Sequence, residues 1–598
     1  MKKTKLLYVV SFLTLVILVS STIFTIWLFE DQVLYKDELG RKEQNLMTAG
    51  SWNLTDPILI DDSDPSKNWS KTANDNDWCS GSGTWNDPYA LKNIWMNISS
   101  FDPAIEIRNS NVYFQIENCS LFSRIGIALS NTNNSIINGN NISSWDWEVA
   151  IFLSHSNNNS INNNFIWDSS TGIKILNGSR NRITSNLVKD GFEHGIIIEG
   201  SDSHDCFIFN NTLINFLAGI YLYGRSHTLS LNSITGNGIT LGPEFEEMIS
   251  YDIDTSNTVN NKPIYYYANE TYLNSEDFVN AGQILLANCN NSKIDNLKIS
   301  GSGLGLLLGY CFNLQIHNLT LTNLTYGIGL FECYNNTFSK SSFLNNMMGI
   351  WALWGCENNN FTNNEFINNS HVGIKSACND DLFLNNLFQD NEYGLYFYLL
   401  AERNLVYRNV FINNTFHAYD EETLNFWDNG MIGNYWDDYN GTDLNFDGIG
   451  DTPYNISGTT GNQDNFPLVN LPCPKISIMS PSENTTFGTM SPEFEISIQG
   501  IGIYTIWYTI DNGIHNYTII ELGGTINLTA WDNALDGFIT IQFYIKDSTG
   551  SIGTSLVIVV KKSPDTTTPG IPGYNLFTLC GVCGIISLIV LRRRKFNV

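Results

Sequence analysis

A right-handed parallel β-helix, with three short strands in each coil of about 22 residues, is the fold the sequence predicts for the middle of this chain. Three observations predict it: a cysteine period, a glycine period, and the composition of the corners between them. Cys289, Cys311, Cys333, Cys356 and Cys378 follow one another at steps of 22, 22, 23 and 22. The glycines that open these units, Gly327, Gly349, Gly373 and Gly394, step by 22, 24 and 21. Within each unit, short alternating runs such as Gly-Ile-Gly-Leu and Phe-Ile-Asn-Asn are separated by Asn-Asn or Asn-Gly corners, the pattern of short strands and tight turns. No unit contains a helix-length amphipathic stretch. Asparagine suits the corners twice over, because it tolerates the left-handed conformation and its amide can bond to the same amide one coil above.

Bulk composition narrows the function classes. A chain of 598 residues is too long for one compact core, but a solenoid escapes that limit because each coil packs only on its neighbours. A net charge of -28 argues against nucleic acid or anionic lipid surfaces as partners and leaves cations, neutral sugars and other proteins. Eleven cysteines do not make a disulfide scaffold at this length. The five-residue column Cys289 to Cys378 reads as small polarizable side chains stacked in the core, with thiol or soft-metal chemistry, or occasional disulfides between neighbouring coils, as the alternatives.

In chain order, Met1 to Lys5 is basic and Leu6 to Phe29 is apolar, so 1–30 reads as a membrane anchor or signal peptide that exports the rest. Asn-X-Ser/Thr sequons, among them Asn53, Asn97, Asn118 and Asn360, make surface glycosylation an expectation. Residues 51–103 read as a cap over the first open strand edge. Coils are expected over 104–433, with an enlarged, projecting loop at 238–281 carrying PEFEEMISYDI and NTVNNKPIYYY.

Residues 434–470 differ in kind. Asp443, Asn445, Asp447, the carbonyl of Ile449 and Asp451 give alternating oxygen ligands around Gly448, which suits calcium in a structural role. Tyr454 stands where a closing glutamate would be, so Asp437, Asp438 or Asp464 are the candidates for the missing oxygens. Residues 474–562 hold about seven alternating segments and read as an immunoglobulin-like β-sandwich. A linker at 563–573 leads to an apolar span at 574–591 and the basic run 592–595, a transmembrane helix or a sorting signal with its tail on the cytoplasmic side.

The coils, NTVNNKPIYYY and above all GNYWDDYNGTDLNFDGIGDTPYNI resemble the NosD-type β-helix family over Ala104 to Asn470. Named members of that family are periplasmic proteins serving copper-site assembly, and many relatives are archaeal surface proteins. What the resemblance implies is the fold and not an activity, which leaves copper handling as a third functional reading. Copper transfer would need clustered Met, His or Cys ligands open to solvent, and the eight histidines here are scattered. The C-terminal Pro572-Gly573, apolar span and arginine cluster also resemble archaeal sorting signals.

The chemistry-bearing column the period suggests is Asp146, Asp168 and Asp190 at steps of 22, beside Trp145, Trp167 and Lys189, with His194 near the same corner. Stacked carboxylates need a cation or proton between them, and indole faces suit sugar rings. Known lyase and epimerase signatures are absent. The reading is therefore an exported, membrane-anchored surface protein that presents a rigid face to glycans or neighbouring surface proteins without catalysis. A polysaccharide lyase or epimerase on the same scaffold is the alternative.

Overall fold

The computed structural model describes residues 52–145, 148–301, 303–471, 474–499, 503–547 and 552–563. Both terminal apolar spans, most of the linker and Asp146 lie outside these residues. Among the described residues no helix is long and apolar enough to cross a membrane.

From Ile58 to Asp464 the chain winds through about 16 turns of a parallel β-helix. Residues alternate inward and outward along each strand, so in-register stacking places like upon like. One inner file runs Ile116, Ile137, Ile161, Ile183, Ile208 and Leu229, each the partner of the next. In the later coils the inner files turn aromatic. Phe343, Phe366, Phe388, Phe411 and Trp436 stack with ring centroids 4.6, 5.0, 4.9 and 4.4 Å apart. Glycine opens these coils for a steric reason: a Cβ on Gly349 would lie 2.5 Å from the carbonyl oxygen of Gly373 in the next coil.

Asparagines come in pairs at the corners, and both members bond amide to amide between coils, as Asn368 does to Asn345 and Asn364 to Asn386. The first residue of a corner has positive φ and faces solvent, as in Asn345, Asn363, Asn368 and Asn385. The second turns inward and is buried, as in Asn346, Asn364, Asn369 and Asn386. Each inward amide serves three coils: Asn364 Oδ1 accepts from Ser341 N, while its Nδ2 donates to Phe338 O and to Asn386 Oδ1. Such ladders pair the buried asparagine amides, as a solenoid interior requires. The cysteine column occupies the same inward position at another corner. Cys289, Cys311 and Cys333 follow Asn288, Tyr310 and Glu332, all with positive φ, and sit on adjoining coils beside the bridges Asn290 to Phe312 to Tyr334.

Two sequence expectations need correction here. Residues 51–103 are more than a cap: Ile58–Asp61, Tyr89–Lys92 and Ile94–Asn97 already form a coil in register with the next. The irregular sequence between them folds as the helix Trp69–Asp75, whose Trp69 is buried against Tyr89 and Phe114. Nor does 238–281 only project. The chain reverses at Asn260 and Asn261, and Lys262–Ala268 then pairs in parallel with Gln283–Ala287, so it opens a second stack of coils.

Beyond the coils, Lys475–Ser480, Glu493–Gln499 and Gly523–Thr525 form one sheet. A second, five-stranded sheet is built from Thr486–Phe487, Ile503–Thr509, Tyr517–Ile519, Gly537–Asp547 and Ile552–Lys561. They share a core of Phe494, Ile496, Tyr508, Trp531 and Phe543.

Candidate functional site

The outward residues of one face of the first stack make two files. Asn97, Phe122, Ser143, Trp167 and Lys189 stand one above another, and beside them run Trp95, Ser120, Asn141, Phe165 and Leu187. Trp95, Phe122, Phe165 and Trp167 are all partly exposed. Trp167 lies edge-on to Phe122 at 6.2 Å, and its Nε1 donates to Asn141 Oδ1 at 2.9 Å. Lys189 Nζ sits 5.8 Å from the centre of the Phe165 ring and 3.1 Å from Asp190 Oδ2. The result is a strip of ring faces edged by amide, hydroxyl, ammonium and carboxylate groups.

The column expected from a constant step is only partly assembled. Trp167 and Lys189 are neighbours, and Asp168 and Asp190 follow them at positive φ on successive corners. One coil earlier the partner of Trp167 is Ser143, because that coil has 24 residues rather than 22. Trp145 therefore falls two places out of file, bonding through Nε1 to Ile98 O and packing 6.3 Å from Phe101. Above Asp190 stands Asn215, whose amide donates to Asp190 Oδ1. His194 begins the strand of a different face, opposite Thr171 and Ala218. Burial, aided by Lys174, lowers its pKa to about 4, so the imidazole is neutral.

In the column at Cys289, Cys311, Cys333, Cys356 and Cys378 every thiol is buried and unpaired. Burial pushes the Cys311 and Cys356 thiols well up, the inert end of thiol behaviour.

In the loop at 443–451 the side-chain oxygens are spent on the loop itself. Asp443 accepts from Asp447 N and Gly448 N, Asn445 from Asp447 N, Asp447 from Ile449 N, and Asp451 from Leu444 N. Asp464 is committed elsewhere: it is buried and accepts from Asn434 N and Trp436 Nε1, and burial raises its pKa to about 6. Asp437 and Asp438 turn to His417 instead.

A cleft of about 330 Å³ opens on the second stack between Lys293, Gln315, His317, Thr337 and Ser339. It could have been found in the sequence, since Asp295, His317 and Ser339 recur at steps of 22 in KID, QIH and TFS. His317 Nδ1 and Ser339 Oγ are 3.1 Å apart, and burial together with Lys340 and Lys293 lowers the imidazole's pKa. Asp295 is committed to Lys293, at 2.6 Å, and to Ser275. Its carboxylate thus does not orient the imidazole, and His317 and Ser339 are polar lining rather than parts of a nucleophile relay.

Fold and surface together define a parallel β-helix with a ring-lined outer face. The chain belongs to the right-handed beta helix region family, whose model matches 94–239, 195–366 and 264–416, more than half of its length. No curated relative matches it. Similar solved structures include the A-module of Azotobacter vinelandii mannuronan C-5 epimerase AlgE6, at 11% identity over 63% of this chain and 89% of that one, TM-score 0.25. DFA-IIIase from Arthrobacter chlorophenolicus A6 is 13% identical over 52% and 81%, TM-score 0.25. Tailspike protein 3 of bacteriophage CBA120 is 13% identical over 56% and 54%, TM-score 0.24. At such values none of them carries an argument about this chain's ligand or chemistry.

Proposed function

We propose that this protein is an exported, membrane-anchored surface protein that binds glycan chains along the ring-lined face of its first stack, without catalysis. The observation that carries the reading is the arrangement of Trp95, Phe122, Phe165 and Trp167 on one face within four successive coils, with Asn141 and Ser143 on the coil between and Lys189 and Asp190 on the coil that follows. Aromatic faces supply contact area at low entropy cost, and the polar groups at their edges give hydrogen bonds that fix orientation. The charge of -28 favours neutral glycans over acidic ones. In this reading the two-sheet module, of immunoglobulin type, is the stalk.

Trp167→Ala is expected to weaken binding of the preferred neutral polysaccharide at least tenfold while lowering the melting temperature by only a few degrees, because the ring is partly exposed and packs on the outside of the coils. Calorimetric titration and thermal melting measure the two. Equal affinities for wild type and variant would remove this face from the account.

The same reading includes a structural calcium ion at 443–451, supported by the alternation of oxygen side chains about Gly448 at φ +86°. Calcium should then raise the melting temperature of the wild-type chain by several degrees, and not that of Asp447→Asn. A wild-type melt indifferent to calcium would mean that the loop's own hydrogen bonds suffice.

A further inference from the structure

The last coil and the segment that covers it meet at a cluster the sequence does not advertise. His417 lies in the strand Phe416–Asp420, and Asp437 and Asp438 follow the strand Tyr435–Trp436. His417 is only 7% exposed, with Phe411 and Trp436 rings beside it. Its Nε2 is 2.8 Å from Asp437 Oδ1 and 3.4 Å from Asp438 Oδ1, and one donor atom from each residue falls within 4.8 Å of the others.

Both carboxylates are held from behind. Asn413 N donates to Asp437 Oδ2 at 2.7 Å, and Tyr454 Oη donates to Asp438 Oδ2 at 3.3 Å, which leaves each inner oxygen directed at the imidazole. Outer-shell bonds of this kind orient metal ligands. Among the described residues neither carboxylate has a lysine or arginine partner. Two adjacent carboxylates thus face a single imidazole with no resident cation to offset their repulsion.

We propose that His417, Asp437 and Asp438 form a binding site for a divalent transition-metal ion of borderline softness, with zinc as its probe. One imidazole nitrogen and two carboxylate oxygens are a donor set such ions accept, whereas calcium prefers oxygen alone. Three protein donors leave the remaining positions to water. The ion would tie the segment after residue 434 to the final coil, closing the open end of the solenoid. Its affinity is moderated by Asn414, whose Nδ2 lies 3.3 Å from His417 Nδ1 and whose oxygen is taken by Asn391. In the metal-free state this neighbour keeps the imidazole proton on Nε2, where it is shared between the carboxylates. Entry of the ion moves that proton to Nδ1 and costs the bond to Asn414.

The test is zinc titration of the full chain after chelator treatment, by calorimetry and thermal melting, with calcium present throughout to fill any oxygen-only site. The expected result is one equivalent of zinc bound by the wild type with a raised melting temperature. Asp438→Asn, at an exposed position that folding tolerates, should weaken binding at least tenfold, and His417→Gln should abolish it. Cobalt bound to the wild type should show visible absorption that Asp438→Asn lacks. Absence of zinc uptake by the wild type, or equal uptake by wild type and Asp438→Asn, would overturn the assignment.

Discussion

Replacing Asp381 by asparagine is expected to stabilise the second stack by about 2–4 kcal/mol at pH 7, and by far less at pH 4. Asp381 stands in an inward ladder of asparagines, 1% exposed, accepting from Asn359 N and Asn359 Nδ2. Its ladder mates Asn336, Asn359 and Asn404 donate Nδ2 to the carbonyls of Cys311, Cys333 and Cys378. Asp381 has no amide to offer the corresponding Cys356 carbonyl, and its Oδ2 is without a partner. Burial accordingly raises the carboxyl's pKa to about 8.

The sign follows from linkage. An unfolded aspartate titrates near 3.9, so between pH ~4 and ~8 the unfolded state ionises while the folded state keeps its proton. Stability contributed by the neutral carboxyl is complete below pH ~4 and is lost as pH rises towards ~8, at up to about 1.4 kcal/mol per unit. Asparagine removes that loss because its amide does not ionise, and its Nδ2 can donate as those of its ladder mates do. Melting temperatures of wild type and Asp381→Asn measured from pH 4 to pH 8 should therefore diverge with rising pH. Parallel profiles would show that residue 381 is ionised in the fold.

Phe366→Ala should cost about 3–5 kcal/mol. Phe366 is fully buried, stacked on Phe343 at 4.6 Å and Phe388 at 5.0 Å, and packed against the glycines of its own and the neighbouring coil. The cost falls at the upper end because rungs locked in register by backbone and amide ladders cannot close over the void. Thermal melting of the full chain should show a lowered transition for the coils, with the two-sheet module, which has its own core, as an unchanged internal reference. A drop equivalent to less than about 1 kcal/mol would mean that the coils relax around the vacancy.

Much of this architecture is legible in the amino-acid order alone, because in a stack each coil repeats the constraints of the last. The cysteine steps place Cys311 and Cys333 on adjoining coils, and the Asn-Asn pairs mark the corners. What the sequence concealed is the slippage. A coil of 24 residues between Ser143 and Trp167 looks no different from one of 22, and two residues suffice to carry Trp145 out of the file of Trp167. The double duty expected of corner asparagines is met, since Asn368 at positive φ donates its amide to Asn345 one coil away. The repeat did not reveal that the buried second asparagines form a further ladder of their own. His417 escaped notice because its partners, Asp437 and Asp438, lie 20 residues away in a segment that has left the repeat.

The claim on which the functional account rests is tested most directly by covalent surface footprinting of the full chain, with and without a panel of neutral polysaccharides. The account predicts protection confined to Trp95, Phe122, Phe165, Trp167 and the adjoining Lys189. Protection centred on Lys293 and His317 or on the two-sheet module, or none anywhere with any member of the panel, would contradict it.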